Sequence, residues 1–209
     1  MKTSNKFTAV RIIAAPVFFI IYFLPQWLHC DHASPLSIAS VCILIPLLAF
    51  AEFTDFLDGF FARKHNEVSD FGKMFDPFAD VFLHLGTFTC FVFSGYMHPI
   101  LYVLILYREF GQSFLRMVAA KSGTAIAARK GGKLKTVFYV ASCFFALIQE
   151  SLLRTGLASL WNVDMKAMYW IGTGFFVICV LLSYVSFLDY LKNFGGILKD
   201  AASDKGQKK

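Results

Sequence analysis

The stretch 54–80, TDFLDGFFARKHNEVSDFGKMFDPFAD, places five aspartates and one glutamate among six phenylalanines. Long apolar runs flank this acidic segment on both sides. The chain of 209 residues is 57% hydrophobic and 16% charged, and its mean hydropathy is +0.59. Such a composition argues against a soluble protein and predicts a polytopic membrane protein without a separate soluble domain.

Apolar spans recur along the chain, each near the length that crosses a bilayer. The six predicted spans are 7–28, 35–62, 71–96, 99–120, 134–155 and 166–191. The predicted fold is therefore an all-α integral membrane protein with six transmembrane helices. We assign residues 1–193 to the membrane domain and residues 194–209 to a polar, basic C-terminal tail. The N-terminal run also resembles a signal peptide, but the spans that follow favour a first transmembrane helix.

Positive charge is distributed unevenly between the two ends of these spans. Of the 20 Lys and Arg residues, only Arg154 and Lys166 fall on the side of the loops 29–34, 94–98 and 156–165. The positive-inside rule then predicts a multi-pass protein of the inner, cytoplasmic membrane with both termini in the cytoplasm. Anionic membrane lipids are the predicted partners of the basic loop and tail, and no nucleic-acid partner is predicted. The five scattered cysteines indicate neither a zinc site nor a disulfide framework.

This orientation places two pairs of aspartates at the same depth. Asp55 and Asp58 lie at the cytoplasmic end of the second span, and Asp76 and Asp80 lie near the cytoplasmic start of the third. Because residues three or four apart share a helix face, each pair forms one acidic stripe. Four carboxylates on facing stripes cannot all stay ionised in a low-dielectric site without compensation, so they would take up protons or bind cations.

The residue types around the aspartates favour phosphate chemistry. Carboxylate ligands suit Mg²⁺ or Mn²⁺, and two such ions about 3.5–4 Å apart commonly assist displacement at phosphorus. Gly59, Ala62 and Gly72 leave room for a ligand near the backbone, and Arg63 suits phosphate oxygens. We therefore predict a polar, metal-binding cavity open to the cytoplasm. Transport of cations or protons remains an alternative, because intramembrane acids also line ion pathways.

The spacing Asp55-x-x-Asp58-Gly59-x-x-Ala62-Arg63, followed by Gly72-x-x-x-Asp76-x-x-x-Asp80, resembles the signature of the CDP-alcohol phosphotransferases. The resemblance implies that Asp55, Asp58 and Asp76 hold two divalent metals, Mg²⁺ or Mn²⁺. It makes Asp80 a further metal ligand and the general base that takes the proton from the acceptor hydroxyl. That hydroxyl attacks the β-phosphorus of the CDP-lipid, and CMP leaves. Family members are commonly homodimers, so a homodimer is expected.

The same resemblance assigns residues to the CDP-lipid. The implied CDP-lipid-binding residues are Asn5, Thr8, Gly59, Ala62, Arg63, Ser69 and Gly72. The pattern Asn5-x-x-Thr8-x-x-Arg11 looks like an N-terminal element that lies near the nucleotide in bacterial phosphatidylglycerophosphate synthases. Two positions depart from the usual pattern. Ser4 stands where a proline is usual, and Glu52 stands where small residues are usual.

A second basic stretch, residues 107–136, bears on the acceptor. Arg108 and Arg116 lie on roughly one face of a span, and Lys133 and Lys135 begin the next span. Buried cations need an anionic partner, so these four residues form a candidate pocket for an acceptor that carries its own phosphate. Glu109 or the aspartates are alternative partners for the arginines, and the two lysines also suit a plain role as membrane anchors.

The stretch is similar to the R-E-F…L-R and G-K-x-K-T elements of the phosphatidylglycerophosphate synthases. This similarity implies phospholipid biosynthesis by transfer of a phosphatidyl group from CDP-diacylglycerol to sn-glycerol 3-phosphate. Other acceptors stay open, namely an inositol phosphate, or phosphatidylglycerol in the synthesis of cardiolipin. His84, one turn beyond Asp80, is predicted to be a packed core histidine.

Overall fold

A computed structural model describes residues 3–64, 70–123 and 130–203 of the chain. Every regular element within these ranges is an α-helix. The helices are α1 (Thr3–Trp27), α2 (Pro35–Lys64), α3 (Asp70–Phe93), α4 (Pro99–Lys121), α5 (Lys130–Arg154), α6 (Leu157–Leu160) and α7 (Met165–Ala202). The all-α prediction is confirmed for this part of the chain.

Four of the described helices are long and apolar enough to cross a membrane, which makes this a multi-pass membrane protein. Their apolar segments are Lys6–Trp27, Pro35–Asp55, Gly132–Arg154 and Met165–Lys199. The long helices α3 and α4 do not reach the same apolar character because they carry charged residues in their interiors. Those charged residues belong to the candidate site described below.

The helices pack in two groups that share an apolar core. Helix α1 lies against α2 and α3, while α7 lies against α5 and α4. Contacts of α5 with α2 and α3 join the groups, and the core between them includes Phe18, Leu44, Phe88, Tyr139 and Phe176. Because α2 and α4 end where α3 and α5 begin, the charged residues near those helix ends are brought to one end of the bundle.

Helix α7 begins at a capped residue and continues beyond its predicted end. The Asp164 carboxylate accepts hydrogen bonds of 3.0 Å from the backbone N–H groups of Lys166 and Ala167, as an N-cap residue does. The helix then runs to Ala202 rather than ending near residue 191. The proposed domain boundary at residue 193 therefore falls inside a continuous helix, and the division into domain and tail stays a prediction.

The opposite end of the bundle holds a buried ion pair. The Arg154 Nε donates to Glu150 Oε1 at 2.5 Å, and both side chains are almost fully buried. The remaining guanidinium nitrogens donate to Ser40 Oγ at 2.6 Å and to the Tyr22 carbonyl oxygen at 2.9 Å. Arg154 thus joins α5 to α1 and α2.

Replacing Arg154 with methionine is expected to lower the free energy of unfolding by about 3–5 kcal/mol, because Glu150 would keep a buried charge without its partner. Chemical unfolding in detergent, followed by circular dichroism, measures the change. Replacing both Arg154 and Glu150 with methionine should recover most of the loss. Lys166→Met is the control. Lys166 is the other basic residue on the side of the loops 29–34, 94–98 and 156–165, and its side chain is exposed. A loss as large in the control as in Arg154→Met would contradict the assignment.

Candidate active site

A cavity of about 1030 Å³ lies at the charged end of the bundle, between α2, α3, α4, α5 and α7. Its walls contain acidic residues from α2 and α3 and basic residues from α4 and α5. The predicted site residues that line it are Asp55, Asp76, Asp80, Arg108, Arg116, Lys133 and Lys135. The tertiary structure therefore joins the two charged stretches that are separate in the sequence.

The acidic side of the cavity is organised around Arg11 of α1, whose side chain is 1% exposed. Its Nη1 donates to Asp55 Oδ1 at 2.7 Å and also to Asp80 Oδ1. Its Nη2 lies 3.7 Å from Asp76 Oδ1. The carboxylates of two antiparallel helices thus converge on one guanidinium, which compensates part of their mutual repulsion.

Thr8 lies one turn before Arg11 on the same helix. Its hydroxyl, which is fully buried, donates to Asp76 Oδ1 at 2.5 Å. In this structure Thr8 and Arg11 therefore contact the acidic residues directly. We did not predict Arg11 as a site residue. The only signal in the sequence was the spacing Asn5-x-x-Thr8-x-x-Arg11, which puts the three residues on one helical stripe.

The described contacts of Arg11 are made to carboxylate oxygens of Asp55, Asp76 and Asp80, which are also potential metal ligands. Within the described side chains, no group of three or more His, Cys, Asp or Glu residues forms a metal-binding group. The side chain of Asp58, the fourth predicted ligand, lies outside the described part of the structure. The metal-ligand assignment therefore stays a prediction.

Several predicted CDP-lipid contacts also lie wholly or partly outside the described part. Ser69 is not described, and only the helical backbone is described for the residues Asn5, Gly59, Ala62 and Arg63. Gly72 is described and buried on α3, one turn before Asp76. Their roles toward the CDP-lipid remain predictions.

Glu52 and His84 line the cavity next to Asp80. The His84 Nδ1 lies 2.8 Å from the Asp80 carbonyl oxygen, and Nε2 lies 3.2 Å from Glu52 Oε1. His84 is buried, as expected for a core histidine, and its ring also packs edge-on against Tyr139. The unusual carboxylate at position 52 thus lies within ion-pair distance of this histidine.

The basic side of the cavity is partly neutralised by Glu109. This buried carboxylate accepts a hydrogen bond of 2.7 Å from Lys135 Nζ and one of 2.9 Å from the Tyr139 hydroxyl. Its other oxygen lies 2.9 Å from an Arg108 guanidinium nitrogen. Glu109 is therefore the anionic partner of Arg108, which was the alternative to a phosphate-binding role for that arginine. Glu109 also pairs with Lys135.

Arg116 and Lys133, unlike Arg108 and Lys135, are not paired with Glu109. The Arg116 guanidinium carbon lies 5.7 Å from the centre of the Tyr190 ring, a cation–π distance. Among the described residues, its buried Nε has no hydrogen-bond partner. Lys133 is exposed at the rim. These two cations are therefore the ones most available to an incoming anion.

Comparison with known proteins gives consistent matches over the chain. A sequence profile described as CDP-alcohol phosphatidyltransferase matches residues 1–185. A Treponema pallidum protein named CDP-diacylglycerol–glycerol-3-phosphate 3-phosphatidyltransferase is 39% identical over 95% of this chain and 92% of its own length. Proteins of the same name from Bacillus subtilis and Aquifex aeolicus are 36% and 28% identical. They cover 63% and 96% of this chain, and 69% and 100% of their own lengths.

Proposed function

Because the chain belongs to the CDP-alcohol phosphatidyltransferase family, we propose that it transfers a phosphatidyl group from CDP-diacylglycerol to sn-glycerol 3-phosphate. The products are phosphatidylglycerophosphate and CMP. One observation carries the proposal: a single cavity holds the acidic cluster on one side and the basic residues on the other. Such a cavity places an anionic acceptor next to the reacting phosphate. The names of the relatives support this pair of substrates.

In our proposal, α3 and α4 cross the inner membrane together with the four more apolar helices, which makes six spans. Five charged residues of α3 and α4 line the cavity, namely Asp76, Asp80, Arg108, Glu109 and Arg116. Both termini and the cavity mouth are on the cytoplasmic side, in agreement with the positive-inside rule. The reaction then takes place where a membrane-bound CDP-lipid meets a water-soluble acceptor. The homodimer expected for the family remains a prediction.

The donor set fits hard divalent cations. Asp55, Asp76 and Asp80 offer carboxylate oxygens that already converge on the cationic group of Arg11, and oxygen ligands suit Mg²⁺ or Mn²⁺. We assign two such ions to these three residues and Asp58. When bound, the ions neutralise charge on the pyrophosphate of the CDP-lipid.

The remaining steps belong to the side chains of the chain itself. Asp80 accepts the proton of the acceptor hydroxyl as the oxygen forms its bond to the β-phosphorus. The bond from that phosphorus to the CMP oxygen breaks, and CMP leaves with the electron pair. Arg63 and the small residues of the signature hold the CDP-lipid. Arg108, Arg116, Lys133 and Lys135 bind the acceptor's phosphate.

Replacing Arg116 tests most directly whether the basic residues of the cavity bind the acceptor's phosphate. A charge-assisted contact contributes about 1.5–3 kcal/mol, so Arg116→Ala should raise the KM for glycerol 3-phosphate roughly 10- to 100-fold. The KM for CDP-diacylglycerol should stay near its original value. Arg116→Lys should recover the loss only in part, because an ammonium cannot reproduce the guanidinium fork. Titration of each substrate with the purified variants measures both constants.

Arg63→Ala is the matched comparison, because it should impair use of the CDP-lipid instead. An equal rise of both KM values in Arg116→Ala would make Arg116 a structural residue. The wild-type KM for the two substrates, measured in the same detergent, provides the reference for both variants.

The function itself is tested by CMP release from the purified protein in detergent. We expect release only when both CDP-diacylglycerol and glycerol 3-phosphate are present. Efficient use of an inositol phosphate or phosphatidylglycerol in place of glycerol 3-phosphate would change the acceptor within the same chemistry. Free glycerol or serine serving equally well would rule out the phosphate pocket. Cation flux in vesicles without any CMP release would favour the transport alternative.

A further inference from the structure

The wall between α4 and α7 contains buried polar atoms whose hydrogen bonds are not made within the described residues. The side chains of Gln112 and Ser186 are 2% and 3% exposed. The two amide atoms of Gln112, the hydroxyl of Ser186 and the Nε of Arg116 all have no hydrogen-bond partner there. Each such group costs about 1–3 kcal/mol when left unpaired, so a cluster of them indicates that a polar ligand completes the site.

Arg116 and Ser186 line the cavity, whereas Gln112 is not among the lining residues. We call these three residues the α4–α7 seam. Gln112 is one turn from Arg108 and one turn from Arg116 on α4, and both arginines line the cavity. On α7, Ser186 lines the cavity one turn before Tyr190, whose ring faces Arg116. The Arg108 Nε donates to the Ser183 carbonyl oxygen at 2.8 Å, which holds α4 and α7 together at this level.

The residues of the seam are suited to bind a ligand in which a phosphate lies next to a neutral hydroxyl. Arg116 provides a cationic donor, whereas Gln112 offers both a donor and an acceptor, and Ser186 adds a hydroxyl. Glycerol 3-phosphate carries a phosphate, one reacting primary hydroxyl and one secondary hydroxyl at C2. The reacting hydroxyl must face Asp80 across the cavity. The phosphate and the C2 hydroxyl are therefore the groups left for the seam.

We propose that Gln112 and Ser186 determine acceptor specificity by binding the non-reacting C2 hydroxyl of glycerol 3-phosphate. This inference rests on the proposed function. A site built to pair a substrate hydroxyl rejects an analogue that lacks it, because the buried polar groups are then left unpaired. The seam thus selects a phosphorylated diol over a phosphorylated mono-alcohol, which the arginine and lysine charges alone cannot do.

Gln149 provides an internal comparison for these residues. It is 1% exposed, and neither of its amide atoms has a hydrogen-bond partner within the described residues. It lies on α5 against Gly172 of α7, where an added Cβ would come within 2.9 Å of its Nε2. Like Gln112, it does not itself line the cavity. Its helix neighbours one turn away, Phe145 and Leu153, do not line the cavity either, whereas those of Gln112 do. Gln149→Leu therefore reproduces the loss of a buried amide without touching the proposed subsite.

The test compares kcat/KM for glycerol 3-phosphate with kcat/KM for 3-hydroxypropyl phosphate, which keeps the phosphate and the reacting hydroxyl but lacks the C2 hydroxyl. Wild-type protein should prefer glycerol 3-phosphate by at least about 10-fold. Gln112→Leu and Ser186→Ala should each lower that ratio toward one, mainly through poorer use of glycerol 3-phosphate. Gln149→Leu should keep the wild-type ratio.

An unchanged ratio in Ser186→Ala and in Gln112→Leu, with turnover retained, would overturn the inference and leave the proposed function intact. A wild-type ratio near one would also overturn it. Absence of CMP release from wild-type protein with either acceptor would instead refute the proposed function. Ser186→Ala removes a single oxygen atom, so it keeps the test decisive if Gln112→Leu fails to fold.

Discussion

Asp80→Asn protein is expected to lose about 10²–10⁴-fold in kcat. The amide that replaces the carboxylate cannot take the proton from the attacking hydroxyl. Asp80 lines the cavity, and its side chain is 32% exposed, so the acceptor can reach it. The measurement is steady-state CMP release at saturating concentrations of both substrates. A further loss would follow if the substitution also disturbed a metal ion.

The substitution should leave the fold in place. Arg11 loses one carboxylate partner but keeps Asp55 at 2.7 Å, so its charge stays compensated. Unfolding in detergent tests this expectation. Asp164→Asn is the matched control, since Asp164 caps the first turn of α7 and does not line the cavity, and asparagine also caps helices. Turnover of Asp80→Asn close to that of Asp164→Asn would remove Asp80 from the role of base.

Chelation of divalent cations with EDTA is expected to abolish CMP release. Without the ions, the acidic cluster and the pyrophosphate would repel each other, and the leaving group would lose the charge neutralisation that the ions supply. Mg²⁺ or Mn²⁺ should restore activity. Ca²⁺ should restore little, because its larger and more flexible coordination sphere misplaces the reacting atoms. Full turnover in a metal-free preparation would exclude the two-metal proposal.

The contacts of Arg11 allow loss of metal to be separated from loss of fold. Its guanidinium binds Asp55 and Asp80, so the carboxylates retain one cation after chelation. We therefore expect the helical circular dichroism signal to persist in EDTA while activity is lost. Arg11→Met should remove this protection, and the variant should unfold more readily in EDTA than the wild-type protein does. Equal unfolding of the two proteins in EDTA would contradict this role of Arg11.

Features that depend on neighbouring residues in the chain could be predicted from the sequence. Apolar runs of bilayer length predicted the long helices, because helix formation and membrane burial both depend on residues that are neighbours in the chain. The spacing of Asp55, Asp58, Asp76 and Asp80 predicted two acidic stripes, since helical periodicity is also local. The same spacing identified the family, which the comparisons confirm.

Helix α7 is longer than the apolar span from which we predicted it. From the sequence, we assigned residues 194–209 to a polar, basic tail. In the structure, the apolar side chains of this segment pack near Leu115, Ala119 and Tyr190, and the helix continues to Ala202. Burial against α4 outweighs the weak helix propensity of glycine, which costs only about 1 kcal/mol per residue.

The composition of the site was decided by tertiary structure. Arg11 reaches Asp55 and Asp80 across 44 and 69 residues of sequence, and Glu109 reaches Lys135 across 26 residues. Sequence spacing says which residues share a helix face but not which faces meet. Charges buried in an apolar bundle must find opposite charges, and only the packing of α1, α4 and α5 determines which partners they find.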